Sequence, residues 1–146
     1  MIVLAHGVFD VLHYGHLIML QHARRLAGEG SLVVTITADR FVRKGPGRPI
    51  FTQRERAAML RALAMVDEVD ICNAASGIQM IQKWKPKIYL KHAEYKTHDA
   101  LGFLHEERKA VESQGGELVF FPGRKWSSSG IISRVATWKE MNPVAA

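Results

Sequence analysis

The start of the chain constrains its fold most, because an apolar strand there passes through a glycine into a helix. Residues 2–4 are Ile, Val and Leu, which favour a β-strand, and Gly7 permits a sharp turn. Apolar residues then recur at helical spacing, at Leu17, Leu20, Ala23 and Ala27. His13 and His16 therefore lie where a strand gives way to a helix N-terminus, a place where free backbone N–H groups favour phosphate, and Gly15 lets the backbone approach such a ligand.

Two histidines at this spacing have other interpretations. A His-x-x-His pair is also half of a metal site, or two ordinary surface imidazoles. Cys72 is the single cysteine, and nothing else in the sequence has metal-ligand spacing. The sequence therefore predicts no metal site built from protein ligands.

Short apolar strands alternate with amphipathic segments along the whole chain, which is the pattern of an α/β protein with a parallel sheet. The predicted strands are residues 2–6, 32–37, 68–72, 87–91 and 117–121, and the predicted helices are 15–27, 53–65, 76–84, 100–114 and 128–140. No internal repeat or linker interrupts them. We expect one domain over 1–140 and a frayed C-terminal tail over 141–146.

Composition narrows the class of protein and its partners. The 146 residues are 47% hydrophobic and 23% charged, as in a soluble enzyme domain, and no signal peptide or membrane span is visible, so we expect a cytoplasmic protein without a membrane partner. The net charge of +6 indicates an anionic partner. The basic residues lack interleaved exposed aromatics and any nucleic-acid-binding motif, so a small substrate carrying several phosphates explains the charge better than nucleic acid.

The segment over residues 7–16, Gly-Val-Phe-Asp-Val-Leu-His-Tyr-Gly-His, resembles the signature of the cytidylyltransferase-type nucleotidyltransferases. The resemblance implies a Rossmann-like three-layer sandwich with a five-stranded parallel sheet, strand order 3-2-1-4-5. It also implies that His13 and His16 bind a nucleoside triphosphate and stabilise the transition state. Val8, Phe9, Asp10 and Gly15 belong to the same nucleotide-binding segment, although Asp10 could instead contact a metal or fix the turn.

A loop rich in glycine and proline, residues 44–49, carries the next candidate. From its surroundings alone, Lys44 could be a solvated surface charge. The loop resembles the Lys-Gly-x-Gly-Arg-Pro stretch in the adenylyltransferase domain of bacterial ADP-heptose synthases. That resemblance implies that Lys44 reaches the phosphates undergoing transfer.

The following helix has a clear start, since Thr52 and Glu55 form a capping-box pattern. Arg56 lies in its first turn, and the segment resembles the family helix whose arginine contacts the triphosphate. The plainer interpretation is a surface ion pair of Arg56 with an acid. Ala57, Leu60 and Ala64 are predicted to face the core.

Two later segments also resemble family motifs. Lys91 and Glu94 align with a Val-Lys-Gly-Gly-Asp-Tyr segment, in which His92 and Ala93 replace the two glycines and Glu94 replaces the aspartate. Lys91 and Glu94 are thereby implied as nucleotide contacts, while the replacements put base and acceptor choice in doubt.

Near the C-terminus, Ser127, Ser128 and Ser129 resemble the closing Ser-Thr-Thr-x-Ile-Ile motif, where hydroxyls cap a helix or bind phosphate. Alternatively, the serines form a plain cap or a flexible loop. We expect Ile131, Val135 and Trp138 to hold that helix on the core.

Together these segments predict transfer of a nucleoside monophosphate from ATP or CTP to a sugar phosphate resembling heptose-1-phosphate, with release of pyrophosphate. Mg2+ is implied as a companion of the triphosphate, and a homodimer is implied by the family. One alternative is a cytidylyltransferase acting on glycerol-3-phosphate or another phosphorylated alcohol. The alternative of another class is a nucleotide-binding sensor without catalysis.

Overall fold

A computed structural model of the chain describes residues 1–97, 99 and 102–143. Its strands are β1 (Ile2–Gly7), β2 (Ser31–Thr37), β3 (Glu68–Cys72), β4 (Ile88–His92) and β5 (Glu117–Phe121). All neighbouring strands pair in parallel, in the order β3-β2-β1-β4-β5. The predicted Rossmann-like α/β fold and strand order are confirmed.

Within the described residues, five α-helices connect or follow the strands. They are α1 (Tyr14–Ala27), α2 (Gln53–Arg61), α3 (Ile78–Trp84), α4 (Leu104–Glu112) and α5 (Ser128–Met141). Each overlaps a predicted helix, although the predicted start of α4 at 100 lies outside the described residues. Met141, which was assigned to the frayed tail, is the last residue of α5. Residues 144–146 of the tail lie outside the described part of the chain.

Helix α2 ends four residues before the predicted boundary at 65. The Leu63 amide donates to the Leu60 carbonyl, which tightens the last turn, and the chain then leaves the helix to enter β3. Ala57 and Leu60 are buried as predicted, but Ala64 lies beyond the helix and is exposed, so its assignment to the core was wrong.

Helices cover both faces of the sheet and create two cores. On one face, α1 contributes Leu20 and Ala23, and α2 contributes Leu60. On the other face, Met80 and Ile81 of α3 pack with Val111 of α4. This arrangement brings the carboxyl ends of the strands to one edge and leaves a crevice where the chain order reverses, between β1 and β4.

The C-terminal helix α5 departs from the prediction. Val135 and Trp138 are each 60% exposed, and no residue of α5 is buried. The prediction that they hold the helix on the core was wrong, because helical spacing of apolar residues reports an apolar face and not what covers it.

Within the described residues, none of the helices combines the length and apolar character that crossing a membrane would require.

Candidate functional site

A cavity of about 240 Å³, here called the main cavity, opens at the carboxyl ends of β1 and β4. This is the crevice that the topology creates. The sequence-predicted site residues that line it are Val8, Phe9, Asp10, His13, Gly15, His16, Lys44, Lys91, Glu94, Ser127, Ser128 and Ser129. Arg56 is the one predicted site residue that does not line it.

The two histidines of the signature hold each other at the start of α1. The His16 amide donates to Nδ1 of His13 at 3.4 Å, and the His13 amide donates to Nδ1 of His16 at 3.3 Å. The rings stack with centroids 3.7 Å apart. Since both Nδ1 atoms accept, each neutral ring carries its proton on Nε2, and the pair keeps two Nε2–H donors for a ligand.

Their surroundings keep these rings uncharged. Burial lowers the pKa of His16 to about 3, helped by the neighbouring His13 ring and the positive charge of Lys44, and burial also lowers the pKa of His13. Each ring is therefore neutral near pH 7 and keeps one hydrogen-bond donor, its Nε2–H.

The turn between β1 and α1 is fixed by Asp10. Phe9 within this turn is buried and has a φ of 53°, in the left-handed region that non-glycine residues seldom occupy. The Asp10 carboxylate accepts from the amides of Ile50 and Phe51, at 2.7 and 2.9 Å, and from Arg48 Nε at 3.0 Å. Of the meanings left open for Asp10, the structure favours fixing the turn.

These contacts also set the charge of Asp10. Burial alone would raise its pKa, but the hydrogen bonds from Phe51, Ile50 and Arg48 outweigh burial and lower the pKa below its usual range. Asp10 thus ties the loop that carries Lys44 to the turn that precedes the histidines.

Lys44 lies on an exposed segment, residues 43–47, between a short 3-10 helix (Asp39–Phe41) and the Arg48 anchor. It lines the main cavity and lowers the pKa of His16, so its ammonium group lies close to the histidine pair. The loop therefore brings a cation to the main cavity, beside the histidine pair.

Arg56 is buried and does not line the main cavity. The capping box of Thr52 and Glu55 is confirmed, and it places Arg56 in the first turn of α2. Its side chain is fully buried, and its guanidinium donates to the carbonyls of Phe51 and Val8 and to Asp39. It holds the chain beneath Val8, and its contact with a triphosphate stays a prediction.

The three serines lie where α5 begins, but they act differently. Ser127 caps the helix by accepting from the Gly130 amide, and Ser128 donates to the Val11 carbonyl at 2.8 Å. Ser129 accepts from Arg48 at 3.1 Å. The serine run is thus tied to the turn after β1 and to the Arg48 anchor.

Gly15 explains how the starts of α1 and α5 come together. A Cβ at Gly15 would lie 2.4 Å from the Cβ of Trp126, so only glycine admits this packing. The ring of Trp126 also meets Tyr14 edge to face at 5.7 Å. In the structure the missing side chain of Gly15 makes room for Trp126, and the predicted close approach of a ligand to its backbone stays a prediction.

Lys91 and Glu94 are each paired with another residue. The ammonium of Lys91 lies 3.0 Å from Oε2 of Glu107, and both side chains are buried, while Glu94 pairs with Lys125 at 2.8 Å. His92 accepts from the Glu94 amide through Nδ1. Among the described residues lining the main cavity, both carboxylates, Asp10 and Glu94, already have cationic partners.

Sequence reasoning missed several lining residues, among them His6, Tyr95, Arg124, Lys125 and Trp126. Arg124 and Lys125 stand directly before the serine motif, so the charge clustering there was a usable signal. For His6 the sequence offered only a polar residue inside an apolar strand. Within the described residues, no group of three or more His, Cys, Asp or Glu side chains has the arrangement of a metal site.

Comparisons with known proteins agree with the geometry. A family profile described as cytidylyltransferase-like matches residues 4–134. Among curated relatives, the Bifunctional protein HldE of Pelobacter propionicus is 40% identical over 138 residues, which cover 92% of this chain and 27% of that protein. The HldE of Desulfatibacillum aliphaticivorans is 39% identical over 123 residues, covering 83% of this chain and 24% of its own length.

A solved structure gives the same picture. The lipopolysaccharide core biosynthesis protein from Thermoplasma volcanium superposes with a TM-score of 0.69 at 26% identity, covering 86% of this chain and 98% of that one. The chain therefore matches that structure over nearly its whole length, but it spans only about a quarter of the two HldE relatives.

Proposed function

The chain belongs to the cytidylyltransferase-like family of nucleotidyltransferases, and we propose that it transfers a nucleoside monophosphate from a nucleoside triphosphate to a sugar phosphate, releasing pyrophosphate. The observation that carries the proposal is the His13–His16 pair, which offers two Nε2–H donors at the start of α1 beside Lys44. Such a set of donors suits a polyphosphate better than any neutral ligand.

Charge around the main cavity supports a triphosphate. Four cationic side chains line its described part, namely Lys44, Lys91, Arg124 and Lys125. The lining carboxylates Asp10 and Glu94 are both paired. The cavity therefore has an excess of positive charge that the phosphate groups would neutralise.

The reaction needs no protein nucleophile. An oxygen of the acceptor's phosphate attacks the α-phosphorus, a new P–O bond forms, and the bond to the β-phosphate oxygen breaks as pyrophosphate leaves. His13, His16 and Lys44 would donate to the oxygens on which negative charge grows, and Ser127, Ser128 and Ser129 would line the phosphates from the α5 side. Because the acceptor oxygen is already ionised, no general base is required.

Mg2+ would accompany the triphosphate as its counter-ion. Asp10, the carboxylate closest in sequence to the histidines, has its oxygens engaged by Arg48 and two amides, so it does not suit a metal. We therefore place Mg2+ on the phosphate oxygens and water, with no step depending on a protein ligand.

Lys44 would act mainly on the transition state, because it reaches the cavity from an exposed loop rather than from a strand or helix. We expect Lys44→Ala to lower kcat at least tenfold while the Kd for triphosphate rises less than about threefold. Steady-state kinetics and calorimetry on the same variant measure the two effects. A variant that binds triphosphate tenfold more weakly but turns over normally would make Lys44 a plain binding contact.

The proposal extends to the remaining predicted residues, the base, the oligomeric state and the location. Arg56 and Lys91 would act by holding Val8 and the end of β4 in place, and Glu94 with Val8, Phe9 and Gly15 would line the nucleoside. The base, ATP or CTP, is left open, since His92 and Ala93 replace the glycines of the family motif. We also propose a homodimer, for which the exposed apolar side chains of α5 offer a surface, and a cytoplasmic reaction that involves neither nucleic acid nor a membrane.

Pyrophosphate release tests the proposal directly. ATP and CTP are each combined with sugar-1-phosphates, glycerol-3-phosphate and phosphoethanolamine. We expect release only when a triphosphate and a phosphorylated acceptor are both present. Triphosphate binding without release for any pair would favour the sensor, and a preference for glycerol-3-phosphate would favour the phosphorylated-alcohol alternative.

A further inference from the structure

Strand β1 carries another imidazole, that of His6, next to its carboxyl end. His6 lines the main cavity and also a second cavity, of about 180 Å³, on the side of α4. Lys44 and Lys91 line both cavities as well. The imidazole therefore lies in the wall that the two cavities share, together with two cationic side chains.

We propose that His6 is a further hydrogen-bond donor to the phosphate group under transfer, and that Thr35 positions it. The proposal rests on the proposed function and adds one imidazole to the His13–His16 pair. His6 donates through Nε2 and keeps its proton throughout. The bond from the acceptor oxygen to the α-phosphorus forms, and the bond from that phosphorus to the leaving pyrophosphate breaks, as in the proposed reaction.

The register of the sheet explains the contact between His6 and Thr35. Strands β1 and β2 pair in parallel with His6 opposite Thr35, so the two side chains lie on the same face. Leu4, two residues before His6, packs in the core on the side of α3 and α4, and so does Val33, two residues before Thr35. His6 and Thr35 therefore continue this face past its apolar part, toward the carboxyl ends of their strands.

Thr35 determines which nitrogen of His6 is left for a ligand. Its hydroxyl is fully buried and lies 2.9 Å from Nδ1 of His6, its one hydrogen-bond partner within the described residues. A buried hydroxyl hydrogen without an acceptor is costly, so this hydrogen is donated to Nδ1. The proton of the neutral ring is then on Nε2, and the Nε2–H group is the donor that remains for the cavity wall.

The surroundings of His6 hold the ring in place and keep it uncharged. A Cβ at Gly77 would lie 3.1 Å from Cδ2 of His6, so the start of α3 packs closely against the edge of the ring. Burial, helped by the positive charge of Lys91, lowers the pKa of His6 to about 3. A neutral donor that is already oriented stabilises growing negative charge without reorganising first.

The shared wall suits a contact with the phosphorus under attack. In an in-line transfer the acceptor and the leaving group lie on opposite sides of that phosphorus. A donor that lines two adjoining cavities reaches the central phosphate oxygens while ligands occupy both sides. We therefore expect His6 to contribute more to turnover than to binding of the triphosphate alone.

Two amide variants separate the two nitrogens of the ring. The amide nitrogen of Gln takes the place of Nε2, whereas the shorter Asn reaches only the place of Nδ1 and keeps a partner for Thr35. We expect His6→Asn to lower kcat about thirtyfold or more, while the Kd for a non-hydrolysable triphosphate changes less than about threefold. We expect His6→Gln to keep kcat within about tenfold of the wild type.

The matched control is His105→Asn, at an exposed position of α4, which should leave kcat within about twofold of the wild type. Equal losses of kcat in His6→Asn and His6→Gln, or wild-type kcat in His6→Asn, overturn the proposal.

A spectroscopic measurement does not depend on turnover. In protein with isotope-labelled histidine, the imidazole nitrogen signals report the tautomer, and the signals of His6 are those missing from His6→Asn. We expect Nε2–H in the wild type and a shift of its signal when the non-hydrolysable triphosphate binds, with no shift for His105. Thr35→Val, which removes the hydroxyl at nearly constant shape, should produce a mixture of tautomers.

The nuclear magnetic resonance result separates this proposal from the proposed function. A proton on Nδ1 of His6 in the wild type, or an Nε2–H signal that ignores the triphosphate, overturns the proposal. Absence of pyrophosphate release from the wild type with every acceptor would instead overturn the proposed function, while the His6 signal would still decide whether Nε2–H contacts phosphate.

Discussion

Helices α1 and α5 start at the same cavity, have the same length of 14 residues, and differ in how they are held. Helix α1 buries Leu20, Ala23 and Ala27 against the sheet, whereas α5 buries nothing. Each start has a side-chain cap, but one helix is fixed along its body and the other only at its first turn.

Because the two helices are held differently, we expect them to contribute differently to the reaction. The histidines belong to the rigid helix, so their donors stand in place before a substrate arrives. The serines belong to a helix that is tied at its start through Ser128, Arg48 and the packing of Trp126 on Gly15. Groups on α1 should therefore dominate turnover, and groups on α5 should adjust binding.

The strongest test of this division is His16→Ala, which removes a donor from the rigid helix. We expect turnover to fall about 10² to 10³-fold, the usual loss when one preorganised donor is removed. His105→Ala, at an exposed position of α4, should change turnover less than twofold. A folded His16→Ala enzyme with near-normal turnover would show that the His16 donor of α1 does not contribute to catalysis.

Two buried neutral imidazoles, those of His6 in β1 and His16 in α1, should make the stability of the fold sensitive to acid. The pKa values of His6 and His16 lie near 3 in the folded chain, against a usual value of 6.5. The unfolded chain therefore takes up protons first, so stability is full above about pH 6.5 and falls as the pH drops toward 3.

We expect the free energy of unfolding to fall by about 1–2 kcal/mol per histidine between pH 7.5 and 5, as measured by urea denaturation. His16→Gln should lose less stability over the same range, and His105→Gln should behave as the wild type. Equal losses in all three proteins would show that the buried imidazole of α1 does not set the acid response.

Trp138 tests what covers α5. If a second copy packs on this helix, Trp138→Ser should weaken dimerisation at least tenfold, because a buried aromatic side chain contributes about 1.5–3 kcal/mol. Sedimentation velocity over a dilution series measures the change. The exposed Lys139→Ala variant on the same helix is the control, and a wild type that stays monomeric at high concentration would contradict the homodimer.

The smallest effect is expected at the start of α5. Ser129→Ala removes one hydroxyl from the cavity and one partner from Arg48, so we expect the KM for triphosphate to rise about threefold with kcat nearly unchanged. Ser133→Ala, further along the helix, is the matched control. A hundredfold loss of kcat would mean that Ser129 affects turnover as strongly as His16, and would contradict the proposed difference between the two helices.

The sequence was most informative where local pattern and topology coincide. The parallel α/β pattern follows from alternation and the capping box at Thr52 from short-range spacing, while the strand order was implied by the family resemblance, and the structure confirms all three. The collection of predicted residues in one cavity follows because parallel strands end at one edge, although their contacts with nucleotide stay predictions.

The failures come from information that local sequence does not carry. Trp138 has the spacing of a core residue, but spacing does not say whether the sheet or another surface covers it. Glu107 was not singled out by any sequence pattern, because its partner Lys91 is distant in the chain. Arg56 looked like a surface or phosphate contact, and only the fold reveals the carbonyls beneath it.

The anchoring of the Lys44 loop has an entropic consequence. Residues 43–47 are exposed, but the chain is anchored on both sides of them. Before them the Val42 amide donates to the Asp39 carbonyl, and after them the amides of Ile50 and Phe51 donate to the Asp10 carboxylate. Ordering a residue costs about 1–2 kcal/mol of conformational entropy. Because the exposed segment 43–47 between the two anchors is short, little entropy is lost when Lys44 binds phosphate. The anchors already restrict the loop before substrates bind. More of the binding free energy of the substrates is therefore available to lower the barrier to transfer.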